Sequence, residues 1–136
     1  GAFNLQPGHV VLDWGAGCGH FMDIVSEMRG FTAVALDAMQ TNVEWGKAHL
    51  RFLSDFCAAD GSKLHFADEA FDAVIAHGAL IHVSDEWGQC AVLREVLRVL
   101  RPGGCAWFGH HWGYWERIDS HSQEVRIPRE FWTREG

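Results

Sequence analysis

The stretch His9-Val-Val-Leu-Asp-Trp-Gly-Ala-Gly-Cys-Gly-His-Phe21 decides how the rest of the sequence is read. A short apolar run, Val10 to Trp14, contains one acid, Asp13. Glycines follow at alternate positions, Gly15, Gly17 and Gly19, and then an amphipathic pattern begins. That order reads as strand, tight glycine turn and helix. Such a turn places bare backbone N–H groups and a helix N-terminus beside whatever binds there. The spacing is not the dinucleotide G-x-G-x-x-G, because His20 stands at the sixth position, and no Gly-Lys-Ser/Thr follows to make a P-loop. The turn therefore suits a nucleoside ligand without a pyrophosphate.

Downstream, apolar runs alternate with helical periods. Phe21, Ile24, Val25 and Met28 fall at i, i+3, i+4 and i+7 and predict a helix face over 18–28, with Gly30 as its C-terminal stop. A second strand is expected over 31–36, ended by Asp37, and a helix from Asn42 to Phe52 carrying Val43, Ala48, Leu50 and Trp45. Thr41 and Asn42 mark its start. A weak third strand over 56–59 leads to the turn Asp60-Gly61-Ser62. Phe71 to Ala76 forms a fourth strand, broken at His77-Gly78. Ser84 and Asp85 are N-cap candidates for a helix from Glu86 to Leu100, stopped by Arg101-Pro102-Gly103-Gly104, and Cys105 to Gly109 is a fifth strand.

Strands alternating with helices imply a parallel sheet with right-handed crossovers, and ligands of such sheets bind beyond the carboxyl ends of the strands. The acids and histidines collect on that rim. Asp37 is placed to accept from the two ribose hydroxyls of a nucleoside, with Ala38 beside it. The alternative is a helix cap or solvated loop acid. Asp60 is placed to accept from an adenine amine and Gly61 N–H to meet a ring nitrogen, against the plain alternative of an Asp-Gly turn. For Asp13, holding the glycine turn and reaching a ligand ammonium stand as equal readings. Of the nine histidines, His77, His82, His110 and His111 lie toward the rim as candidate bases, since imidazole takes a proton near neutral pH. No H-E-x-x-H or comparable spacing occurs, and no metal centre is expected. The aromatic tail from Trp107 to Trp132 reads as core packing or as a wall for an acceptor.

Composition bounds the remaining classes. With 136 residues, 48% hydrophobic and 21% charged, the chain is expected to form one globular domain over 1–136. No apolar run approaches the roughly 20 residues of a membrane span, and no signal-peptide pattern opens the sequence. The net charge of −7 argues against nucleic acid as a partner. Four scattered cysteines without a C-x-x-C pair fit thiols in a reducing, cytoplasmic setting. The opening at Gly1 and the close at Glu135-Gly136 suggest an excised piece of a longer chain.

On these residues the chain resembles class I S-adenosylmethionine-dependent methyltransferases of the small-molecule type. Val10 to Gly19 is similar to the family's first motif, Val34-Ala-Leu-Asp37 to its second and Ala59-Asp60-Gly61 to its adenine-contacting position. Phe71 to His77 and Leu80-Ile-His82-Val83 resemble its fourth-strand segment, and Leu97 to Gly104 the segment before the fifth strand. The resemblance implies a Rossmann-like three-layer α/β sandwich with a mainly parallel five-stranded sheet of order 3-2-1-4-5. The 26 residues or so after His110 show no convincing strand pair, so the family's terminal hairpin is expected to be missing or incomplete, and a helix before the first strand is not evident. It further implies S-adenosylmethionine as cofactor, S-adenosylhomocysteine as product and a small-molecule methyl acceptor. The cofactor would be held by Asp13, Gly15, Ala16, Gly17, Gly19, Asp37, Ala38, Asp60, Gly61 and His77. The alternative is a binding domain without turnover, and a homo-oligomer or larger parent chain is compatible with either.

Overall fold

In the computed structural model, residues 5–77, 83, 86–109 and 115–119 are described. The elements run β1 (Val10–Trp14), α1 (His20–Arg29), β2 (Thr32–Asp37), α2 (Gln40–His49), β3 (Leu53–Ala58), β4 (Phe71–His77), α3 (Glu86–Val99), β5 (Leu100–Gly109) and β6 (Trp115–Asp119). The first five strands lie parallel in the expected order 3-2-1-4-5. The sheet does not stop there. β6 pairs antiparallel with β5, from Cys105 opposite Asp119 to Gly109 opposite Trp115. One strand of the terminal hairpin is thus present where the aromatic tail showed no strand pattern. The mainly parallel five-stranded sheet is as expected, and among the described residues one antiparallel strand extends it.

The period-2 alternation of β1 sorts the core. Leu12 and Trp14 face one side of the sheet with Val74, Ala106 and Phe108, where Val92, Leu93, Val96 and Val99 of α3 cover them. Val11 faces the other side with Ala73, Ile75, Cys105 and Trp107, against Met22 of α1. Ala35, Val43 and Phe56 extend that second layer under α2. Trp107 and Phe108, neighbours on one strand, are buried in opposite layers, so these two aromatics belong to the core.

Several expected details are corrected. The apolar stripe of α1 faces outward: Phe21 and Ile24 are each 54% exposed and Met28 74%. Met22 and Ser26 are the buried positions, with Val25 half-buried. Apolar residues at 21, 22, 24, 25 and 28 surround much of the helix, so their spacing cannot set its phase. The left-handed Gly19 at its N-terminus (φ 84°) does. α2 begins two residues earlier than expected and ends three earlier, with Met39 rather than Thr41 or Asn42 at its N-cap. Ala48 is exposed and Val43 and Gly46 are buried. β3 starts at Leu53 rather than Phe56. β5 extends back through the Arg101–Gly104 turn, with a register shift against β4 between Phe71 and Ala73. The expected caps Ser84 and Asp85 lie outside the described residues.

The β3–β4 connection carries one wall of the pocket described below and is clamped by Arg98. All five guanidinium donors are used. Nε donates to Glu95 (2.9 Å), Nη1 to Phe66 O and Asp68 (both 2.8 Å), and Nη2 to Leu64 O (2.9 Å) and Glu95 (3.0 Å). Glu95 in turn accepts from Leu64 N–H at 2.7 Å, and hydrogen bonding to Arg98 holds its carboxyl below the usual range. A Lys ammonium lacks the planar fork this set requires. Arg98→Met should lower unfolding stability by about 1–3 kcal/mol, with the solvent-facing Asp68 contact contributing least. Arg98→Lys should recover less than half of that loss in urea titration. A Lys variant as stable as wild type would show that the fork geometry is immaterial.

Candidate active site

A cavity of about 720 Å³ opens at the carboxyl ends of β1, β2, β3 and β4, where the crossovers leave β1 in opposite directions, toward β2 on one side and β4 on the other. Its volume suits a nucleoside-sized ligand. From the β1 end come Trp14, Gly15 and Gly17, from β2 Asp37, Ala38 and Met39, from β3 Asp60 and Gly61, and from β4 His77.

The glycine turn is pinned to β2 by backbone bonds. Gly15 and Ala16 N–H both donate to Leu36 O, at 2.8 and 2.9 Å, and Gly17 N–H donates to Asp37 Oδ2 at 2.8 Å. Asp37 Oδ1 also accepts from Met39 N–H (2.9 Å) and from the Asn42 amide (3.1 Å). The end of β2 therefore organises both the turn and the start of α2. Gly19 sits below the turn rather than in the pocket. Its backbone is left-handed, and a Cβ there would press on Leu50 and Phe56.

Asp60 does make an Asp-Gly turn, its Oδ1 accepting from Ser62 N–H and Oγ, each at 2.9 Å. These bonds hold its carboxyl below the usual range, and its residue still lines the pocket. The indole of Trp14 lies beneath Gly61 and its Nε1 donates to Gly61 O at 3.2 Å.

Asp13 alternates with Trp14 and so points to the α1 side of the sheet, where it is 4% exposed. Burial first, and Asp37 second, push its carboxyl up to about 7. His77 is exposed at the rim and its ring stacks on Phe21 at 6.4 Å.

Of the expected cofactor residues, Gly15, Gly17, Asp37, Ala38, Asp60, Gly61 and His77 thus converge on one cavity, while Asp13, Ala16 and Gly19 support it from behind. His82, His110 and His111 lie outside the described residues. Trp14, Met39 and Asn42 also line the cavity and were not singled out as site residues. Their proximity to Asp37 or to the glycine turn in sequence was the available signal.

The topology and the rim cavity define a class I S-adenosylmethionine-dependent methyltransferase fold. Residues 12–108 match the family model for a methyltransferase domain, and the chain belongs to that family. Demethylmenaquinone methyltransferase of Beutenbergia cavernae is 39% identical over 104 residues, covering 76% of this chain and 41% of the relative. Cycloartenol-C-24-methyltransferase of Arabidopsis thaliana is 30% identical over 125 residues, covering 88% and 36% respectively. The crystal structure of the [4+2]-cyclase SpnF superposes with a TM-score of 0.69 at 29% identity, over 76% of this chain and 39% of that one. The chain spans about two fifths of the length of these proteins.

Two predictions follow from the geometry. A Cβ at Gly61 would overlap the Trp14 indole ring. Gly61→Ala should displace the Asp60–Ser62 wall, lower stability by about 1–3 kcal/mol and shift Trp14 fluorescence. An unchanged emission maximum would sink the packing argument. For Asp13, the native carboxyl keeps its proton to about pH 7, whereas the unfolded one releases it near pH 3.9. The native state binds more protons in that window, so stability is lost as pH rises from about 4 to 7 and is level above. At about 1.4 kcal/mol per pH unit the loss is at most on the order of 4 kcal/mol. Asp13→Asn should remove this component from urea titrations run across that range. Parallel stability–pH curves for the two proteins would contradict it.

Proposed function

We propose that the chain binds S-adenosylmethionine in the strand-end cavity and transfers its methyl group to a small-molecule acceptor, leaving S-adenosylhomocysteine. The observation that carries this reading is the charge of the cavity wall. Among the described residues that line it, the charged ones are Asp37 and Asp60, with neither lysine nor arginine. Such a wall repels phosphates and suits a nucleoside that bears positive charge. Asp37 takes the ribose, with Ala38 beside it. Asp60 and Gly61 N–H take the adenine edge. The glycine turn, supported by Asp13, Ala16 and Gly19, faces the amino-acid portion.

The bound cofactor supplies a methyl group already activated by a sulfonium centre. The protein's work is then alignment and exclusion of water. Transfer of that methyl group to an acceptor atom would break its bond to sulfur and leave S-adenosylhomocysteine in the cavity. When the acceptor carries a proton, His77 receives it from that atom. The names of the two methyltransferase relatives, acting on cycloartenol and demethylmenaquinone, support a small organic acceptor, and the net charge of −7 speaks against nucleic acid. The scattered cysteines, with no C-x-x-C pair, fit a reducing, cytoplasmic setting.

A second reading is favoured by the share of relatives covered and by the likeness to a cyclase. In it, residues 1–136 are the cofactor-binding unit of a longer protein, and turnover needs further segments or a partner subunit.

Calorimetry with S-adenosylhomocysteine and with NAD tests the shared part. The first should bind and the second should not, and Asp37→Ala should cost about 1.5–3 kcal/mol of affinity. Failure of S-adenosylhomocysteine to bind at millimolar concentration would remove both readings. Cofactor binding without methyl transfer to any quinol, sterol or phenol acceptor, followed by mass spectrometry, would favour the second.

A further inference from the structure

The hydrogen bonds around Asp37 leave only part of its acceptor capacity open to a ribose. An ionised carboxylate offers about four acceptor positions. Three are already taken, two on Oδ1 by Met39 N–H and the Asn42 amide and one on Oδ2 by Gly17 N–H. One position remains, on Oδ2. A vicinal diol brings two hydroxyl groups, and the second needs another partner.

Asn42 is placed to be that partner. It lines the same cavity, and its amide is oriented from both ends. Nδ2 donates to Asp37 Oδ1 at 3.1 Å, and Oδ1 lies 3.6 Å from the Cys18 thiol, a weak donor. The reversed amide would set its oxygen against the carboxylate oxygen, so these two contacts fix which way it points. One Nδ2 hydrogen spends itself on Asp37, and the other has no acceptor among the described residues. We infer that Asn42 shares the ribose with Asp37: the carboxylate accepts from one hydroxyl, and the free Nδ2 hydrogen donates to the oxygen of the other. Cys18, on the glycine turn, is a positioning residue that holds the amide in this orientation. The assignment rests on the cofactor reading above and adds to it a neutral donor as the second half of diol recognition.

The test is calorimetry with S-adenosylhomocysteine and its 2′-deoxy and 3′-deoxy forms on wild type, Asn42→Ala and Cys18→Ala. Asn42→Ala should weaken the parent ligand about three- to tenfold, the range of a neutral hydrogen bond. For one of the two deoxy ligands, the one lacking the hydroxyl that Asn42 holds, that loss should shrink to about twofold or less. Cys18→Ala should give a smaller loss with the same ligand dependence. Asn42→Ser, too short to reach, carries the same comparison should Asn42→Ala melt below the assay temperature. An equal loss across all three ligands would mean that Asn42 acts only by steadying Asp37, and no loss at all would mean that it stands aside. Either result overturns the assignment while leaving the cofactor reading intact. Wild type that binds none of the three ligands overturns the cofactor reading, and this one with it.

Discussion

The fold's functional end depends on the carbonyl of Leu36 and the carboxylate of Asp37. Between them they accept from Gly15, Ala16, Gly17, Met39 and Asn42. A turn containing glycines with left-handed backbone has many conformations open to it in isolation. Tying three consecutive N–H groups to the neighbouring strand end selects one of them. The turn's shape is therefore a consequence of the β1–β2 register, in which Trp14 stands opposite Leu36. A slip of one residue would move both acceptors and turn Asp37 to the other face of the sheet.

The same alternation explains the electrostatics. Asp13 and Asp37 point to one side of the sheet, Trp14 and Leu36 to the other. Asp37 accepts from N–H donors on both oxygens, and Asp13, on the same side, is raised by burial first and by Asp37 second. Trp14, on the opposite side, closes the floor under Gly61. One five-residue strand thereby contributes a buried acid to one layer and an aromatic floor to the other.

Much of this was legible in the sequence, for identifiable reasons. The strand ends could be read because each apolar run stops at a polar residue or glycine, as at Asp37 and His77, and parallel topology gathers those stops on one rim. The phase of α1 could not be read, because its apolar residues occupy too much of the circumference and the helix's orientation is set by Gly19 instead. β6 was missed because its pattern, Trp-Glu-Arg-Ile-Asp, sits within a tail whose aromatics have no clean alternation. Asn42 looked like a cap, since Asn is a common N-cap residue. Its position two residues inside α2 follows from Asp37 capping Met39 N–H, a contact between residues whose geometry no propensity encodes.

Topology also separates the two halves of the site. The ends of β1, β2 and β3 build the nucleoside half from turns whose shapes are fixed by backbone register and short-range bonds. The end of β4 brings a single described side chain, His77, stacked on Phe21 of α1. In the proposed reading the first half meets only the cofactor, which is the part that proteins of different activity have reason to share. That a [4+2]-cyclase has the same fold at 29% identity agrees with the proposed division, in which the glycine turn and its acids serve binding and the reaction is set elsewhere.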